Sequence, residues 1–175
     1  MKLLRLALAL FAFAFFTSQA FAQPMLMPDQ SQPKAPQIGK TAPKVEIAEY
    51  LNNTGKDPLK GKIVFLEFWA TWCGPCRQTI PHLNKLVEKF QKNVSFVSVS
   101  NENKDVVQKF MGKTPMKSFI ALDKNNITSK NYNVQSIPQA YIIDKKGNIA
   151  WAGHPATITE DMIENYIKTG SFPKN

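Results

Sequence analysis

The sequence predicts an α/β fold with a central mixed β-sheet flanked by helices. Three observations carry that prediction. Ile63 to Trp69 is almost wholly apolar, as a central strand covered on both faces must be. Strand-like and helix-like stretches alternate through the earlier part of the chain, the pattern of parallel strands joined by crossover helices. A hairpin turn, Lys145-Lys146-Gly147-Asn148, comes late and adds antiparallel strands.

The elements follow in order. Val45 to Tyr50 reads as a short strand or the start of one. Asn52 to Lys62 is rich in turn formers (Asn52, Asn53, Gly55, Pro58, Gly61). After the Ile63–Trp69 strand, a helix runs from Cys73 to about Phe90, with Ile80, Leu83, Leu86, Val87 and Phe90 at helical spacing. Pro81 removes one backbone donor inside that helix and is expected to bend it. Val94 to Val99 is a second buried strand. Asp105 to Met111 is a short helix with Val106, Val107 and Phe110 turned inward. Phe119 to Leu122 is a strand, Asn126 to Tyr132 a helical turn or two, and Ala140 to Asp144 a strand. Ile149 to Gly153 completes the hairpin. The last helix spans Thr159 to Lys168, with Ile158, Met162, Ile163 and Tyr166 or Ile167 on its buried side. Thr157 or Thr159 caps it and Gly170 stops it.

The N-terminus carries an address. Lys2 and Arg5 precede an unbroken apolar run of eleven residues, Leu6 to Phe16, and Ala20-Phe21-Ala22 matches a small-x-small cleavage pattern. Residues 1–22 are therefore expected to be a secretory signal peptide, cleaved near Ala22, which places the protein in the periplasm. The alternative is a retained anchor facing the periplasm. The run is short for a spanning helix, which needs about 20 apolar residues, but Thr17 to Ala22 would extend it. Residues 23–37, with Pro24, Pro28, Pro33 and Pro36, read as a flexible tether. Met25-Leu26-Met27 lacks a third ligand and does not make a copper site.

Composition narrows the class. A hydrophobic content of 43% supports a packed core. The net charge of +9 falls to +7 once Lys2 and Arg5 are removed, and it comes from scattered lysines, with Arg5 and Arg77 the only arginines. No basic block is interleaved with aromatics, so no nucleic-acid site is expected. A lysine-rich soluble surface accounts for the charge, although acidic partners or anionic lipid would also suit it.

Trp72-Cys73-Gly74-Pro75-Cys76 holds both cysteines of the chain. A bridge enclosing only Gly74 and Pro75 constrains little of the unfolded chain, so exchange is a better account of it than stability. Zinc is disfavoured, because a structural site needs four ligands and His82 and His154 are not spaced as a finger. No metal and no cofactor is called for. Cys73 falls where the helix begins, beside unpaired N–H groups and the positive end of the dipole, which favours its thiolate as nucleophile. Cys76, one turn inward, is placed to resolve a mixed disulfide. Gly74 and Pro75 allow the tight turn and set the first helical φ.

Phe68-Trp69-Ala70-Thr71-Trp72-Cys73-Gly74-Pro75-Cys76 resembles the active-site segment of the thioredoxin superfamily. Pro81 matches that family's kinking proline. Ser136-Ile137-Pro138, followed by Ala140 to Asp144, resembles its cis-proline loop and next strand, and Gly153 resembles the glycine ending its last strand. The likeness covers Ile38 to the C-terminus and implies a thioredoxin-like domain over 38–175. The exported N-terminus and the inserted segment between Val99 and Val134 resemble the extracytoplasmic TlpA/ResA-like thiol–disulfide reductases.

The resemblance implies further roles. Pro138 would be cis beside Cys73, and the backbone at Ile137 and Pro138 would pair with a substrate peptide; local sequence alone reads only a turn ahead of a strand. Trp72 would shield the sulfurs and contact partners, or simply pack. Glu67 occupies the position of a buried aspartate in cytoplasmic thioredoxins. A carboxyl in an apolar strand should have a raised pKa and could exchange a proton with Cys76, unless it faces a solvated edge. Glu102, near the insert, is a second candidate acid, and His154 a rim group or a surface residue.

The function expected is an extracytoplasmic reductase of disulfides in partner proteins, monomeric and recharged by a membrane-bound electron donor. Partners implied by the resemblance are apocytochrome c thiols, copper-site assembly proteins and misoxidised secreted proteins. Gln139 stands where the subgroup usually has Thr or Glu, which weighs against cytochrome c maturation. The alternatives are a disulfide oxidase of secreted proteins, or a non-catalytic binding module on the same fold. A peroxidase fits less well, since a peroxidatic cysteine needs no resolving partner two residues away.

Overall fold

The computed structural model describes residues 34–53, 55 and 57–172. The expected signal peptide, the Met25–Met27 stretch and the tether up to residue 33 lie outside the described residues.

Among the described residues six strands form one sheet in the order β1-β4-β3-β2-β5-β6. They are β1 (Ile47–Tyr50), β2 (Ile63–Phe68), β3 (Val94–Ser100), β4 (Phe119–Asp123), β5 (Gln139–Ile143) and β6 (Ile149–Gly153). β2, β3 and β4 run parallel, while β1, β5 and β6 pair antiparallel to their neighbours. The sheet is therefore mixed. Among the described residues four α-helices accompany it: α1 (Gly74–Phe90), α2 (Lys104–Met111), α3 (Ile127–Asn131) and α4 (Glu160–Thr169).

The apolar run that predicted β2 explains its place at the centre. All six residues of β2 and all seven of β3 are buried. Period-two alternation sends Ile63 and Phe65 into one core with Leu83, Leu86 and Phe90 of α1 and Ile163 and Tyr166 of α4. Val64, Leu66 and Phe68 point to the other face, where they meet Val97, Val99, Tyr132 and Tyr141. Each large apolar side chain buried in this way contributes roughly 1.5–3 kcal/mol. The same alternation puts Glu67 on the face of Ile63 and Phe65, directly opposite Ser98 of β3 and Ala140 of β5.

Chain ends of elements obey local chemistry. Thr159, not Thr157, caps α4: its hydroxyl accepts the Met162 N–H at 3.2 Å. Gly170 closes α4 in the left-handed conformation, φ 73°. A side chain on Gly153 would lie 2.8 Å from the Trp151 ring, so only glycine fits there.

One helix face needs correction. Val106 is 45% exposed, whereas Val107 is fully buried. Neighbouring residues on a helix lie about 100° apart, and α2 packs only its Val107 side against the core, which leaves Val106 toward solvent.

Candidate active site

The site forms at the carboxyl end of the parallel strands. β2 ends at Phe68 beside Val99 of β3, so the loops that follow these strands emerge side by side. After β2 the chain makes a turn closed by the Cys73 N–H donating to the Ala70 carbonyl at 3.1 Å. Helix α1 then starts, with Cys73 as its N-cap in extended conformation and Pro75 in the first turn, where a missing N–H is no loss. The helix runs on through Pro81 without a break.

Cys73 and Cys76 are joined as a disulfide. The Cys76 N–H donates to Cys73 Sγ at 3.1 Å, the interaction that would favour a thiolate on Cys73 in the reduced form. Both cysteines are largely buried, at 4% and 1% exposure. Trp72 beside them is 70% exposed. The Ile137–Pro138 peptide is cis, and the Ile137 carbonyl oxygen lies 3.8 Å from Cys73 Sγ. Pro138 is buried and Ile137 partly so. A cavity of about 390 Å³ flanks this loop, lined among others by Trp69, Trp72, Asn101, Val134, Ser136 and Ile137.

Glu67 lies beneath. It is 2% exposed, so the solvated-edge alternative does not hold. The Ser98 hydroxyl donates to Glu67 Oε2 at 2.9 Å, and Ser98 in turn contacts the Ser118 hydroxyl at 2.8 Å. Burial pushes the Glu67 carboxyl up to about 8, against the opposing pull of the Ser98 and Thr79 hydroxyls. Thr79 was not singled out from sequence. Its hydroxyl donates to the Cys76 carbonyl at 2.7 Å, so one side chain links the turn carrying Cys76 to the Glu67 side of the helix. Its sequence signal is faint: a hydroxyl three residues after the second cysteine, on the same face of the helix.

Of the remaining candidates, Glu102 reaches the turn before Cys73, and the others lie elsewhere. Both Glu102 carboxylate oxygens are engaged by Thr71 and Ser100. His154 accepts the Ala156 N–H through Nδ1 and caps the short 3₁₀ turn Pro155–Thr157. His82 donates through Nε2 to the Ile158 carbonyl at 2.9 Å. Gln139 opens β5, half-buried, with its amide against the Ala140 carbonyl. Among the described residues no group of three or more His, Cys, Asp or Glu is arranged to hold a metal.

Sheet order, helix-capping cysteine and cis-proline loop together define the class: a thiol–disulfide oxidoreductase on a thioredoxin-like fold. The chain matches the AhpC/TSA family over residues 38–152 and belongs to it. It is 33% identical over 138 residues to the thiol-disulfide oxidoreductase ResA of Bacillus thuringiensis (strain Al Hakam), covering 75% of this chain and 78% of that one. The crystal structure of StoA from Bacillus subtilis superposes with a TM-score of 0.56 at 26% identity, covering 65% of this chain and 90% of that one. A thiol:disulfide interchange protein from Bacteroides sp. shares the fold, with a TM-score of 0.65 at 20% identity over 77% of this chain and 93% of that one. The subgroup resemblance read from the sequence is thus supported by ResA- and StoA-like relatives.

Proposed function

We propose that this protein is an extracytoplasmic reductase of protein disulfides, with Cys73 as nucleophile and Cys76 as resolving thiol. The observation that carries the reading is the Cys76 N–H at 3.1 Å from Cys73 Sγ, at a helix N-terminus beside the cis Ile137–Pro138 loop. Cys73 thiolate attacks one sulfur of a partner disulfide, forming a mixed disulfide and releasing the first partner thiolate. Cys76 then attacks Cys73 Sγ. The Cys73–Cys76 disulfide forms, the second partner thiol leaves, and two electrons have passed to the partner.

Cys76 needs its proton removed before it attacks. Burial raises the Glu67 carboxyl to about 8, close to the ordinary range of a thiol, so its ionised fraction can take that proton through Thr79 or a water while the protonated form is held in reserve to return it. The backbone at half-buried Ile137 and the exposed Trp72 ring supply the peptide-binding wall, and Gly74-Pro75 is the dipeptide of the reducing thioredoxins. The signal-like segment ahead of residue 23 supports a periplasmic site of action, whether cleaved near Ala22 or kept as an anchor. A membrane-bound donor would recharge the dithiol, and the protein acts as a monomer.

The test is trapping. Reduced Cys76→Ala protein mixed with a disulfide-bonded protein should give a covalent adduct through Cys73 that dithiothreitol reverses. Absence of any adduct, with the protein folded, would turn the reading toward a binding module.

A further inference from the structure

The turn before the nucleophile is held by a side chain from the neighbouring strand. Residues 70–73 form a turn closed by the Cys73 N–H on the Ala70 carbonyl, which leaves the Thr71 N–H without a partner inside the turn. Glu102 takes it: Oε2 accepts the Thr71 N–H at 2.7 Å, and Oε1 accepts the Thr71 hydroxyl at 2.7 Å. Glu102 is itself fixed. The Ser100 hydroxyl donates to Oε2 at 3.1 Å and accepts the Glu102 N–H at 3.2 Å. Hydrogen bonds to a carboxylate are the stronger kind, and two on one residue set its orientation as well as its position.

The fold makes this clamp possible. β2 and β3 are parallel neighbours, so the loop after β3 rises beside the loop after β2. Trp72 follows Thr71 directly and is held 70% exposed. Cys73 comes next, in the extended N-cap conformation (φ −76°, ψ 104°) that lets Sγ accept the Cys76 N–H. Loosening Thr71 would release both.

We propose that Glu102 is a positioning residue for thiol exchange: by clamping Thr71 it keeps the turn in the shape that aims Cys73 Sγ at the Cys76 N–H and presents Trp72 to the partner. The proposal rests on the reading of Cys73 as the attacking sulfur. It gives Glu102 a role other than proton transfer, since both its oxygens already accept hydrogen bonds at the turn.

Charge and geometry pull in opposite directions, which makes the proposal testable. Removing a negative charge near Cys73 would by itself ease ionisation and lower the pH at which the thiol reacts. Losing the aim of the Cys76 N–H would raise it. The experiment measures alkylation of Cys73 by iodoacetamide against pH in the reduced full-length protein, with the labelled residue identified by mass spectrometry. Reduction of insulin is measured alongside. Glu102→Ala should raise the alkylation midpoint by about half a pH unit, equivalent to a threefold loss of thiolate. It should also slow insulin reduction by about tenfold, a modest cost for a misplaced reacting group. Glu102→Gln keeps an acceptor for the Thr71 N–H and loses the charge, so its insulin reduction should stay close to that of the parent protein and its midpoint should lie at or slightly below the parent's. Thr71→Val, lacking only the hydroxyl, should shift the midpoint upward by less than Glu102→Ala does.

A midpoint that falls in Glu102→Ala, or stays put while only thermal stability drops, overturns the proposal. So does a Gln variant as impaired as the Ala variant. If the parent protein does not reduce insulin, the reductase reading fails, and the alkylation midpoint still decides the role of Glu102.

Discussion

The two sulfurs sit three residues apart in contrasting surroundings. Around Cys73 the chain opens out: Trp72 is 70% exposed, and Gln135 and Ser136 of the facing loop are exposed. The turn leading to it is held through Thr71 by Glu102. Around Cys76 the structure is closed. Thr79 and Ile80 are each 4% exposed, and Glu67 beneath them is 2% exposed. The contrast separates two chemical tasks. In the proposed mechanism, attack on a partner belongs to the open rim, where backbone dipoles favour a thiolate. Resolution, in the same proposal, belongs to the dry floor, where burial favours the protonated form of Glu67 because its charged form is costly.

The largest test of that division is removal of each sulfur in turn. Cys73→Ser should lower exchange by at least about a thousandfold, because a hydroxyl does not replace a thiolate as nucleophile. Cys76→Ala should leave the first attack intact and stop at the adduct. Single-turnover kinetics with a disulfide-bonded protein distinguish the two, and equal behaviour of the variants would erase the division.

The floor should also show itself in stability. Glu67 keeps its proton in the folded protein up to about pH 8, whereas its ordinary value is 4.5. The folded state therefore binds more protons than the unfolded state between those limits, and stability falls as pH rises across them. Glu67→Gln removes that slope. In the oxidised protein it should be the more stable form by on the order of 3 kcal/mol near pH 9, and much closer to the parent near pH 5. Urea denaturation at both pH values measures this, and parallel pH profiles would contradict a buried neutral acid.

Kinetically, the same variant should slow resolution by Cys76 by about tenfold to a hundredfold, the usual span for a lost proton-transfer group. Attack by Cys73 should change little. Stopped-flow separation of the two phases checks it, and equal slowing of both would make Glu67 structural. The smallest effect belongs to the rim. Trp72→Ala should raise KM for a protein disulfide by about threefold, as for a partly buried aromatic contact, and leave a small disulfide unaffected.

The same contrast explains what was legible in the sequence. β2 and β3 were readable because central strands must be apolar on both faces, and Glu67 stood out as the one acid within that run. The cysteine spacing placed a thiol at a helix start. The fold class followed from the order of elements. Contacts made across the sheet were not readable. Glu102 meets Thr71 31 residues away, through loops brought together only by the β2–β3 register. Thr79 looks like any helix hydroxyl until its neighbours are known. The Asp123 carboxylate likewise accepts the Thr128 and Ser129 N–H groups and starts α3, a cap formed across a short 3₁₀ turn with left-handed Asn125 and Asn126. Val106 was misplaced because adjacent valines on a short helix give no phase. The cis state of Pro138 came from resemblance, since nothing in the local residues demands it.

The central claim is that Cys73 and Cys76 form a reducing dithiol. Its most direct test is the reduction potential of the pair, measured by equilibration with glutathione or dithiothreitol buffers. The account predicts a value near about −270 mV, typical of reducing members of the superfamily. A value near about −120 mV, that of a strong oxidant, would contradict it and assign the protein to disulfide formation.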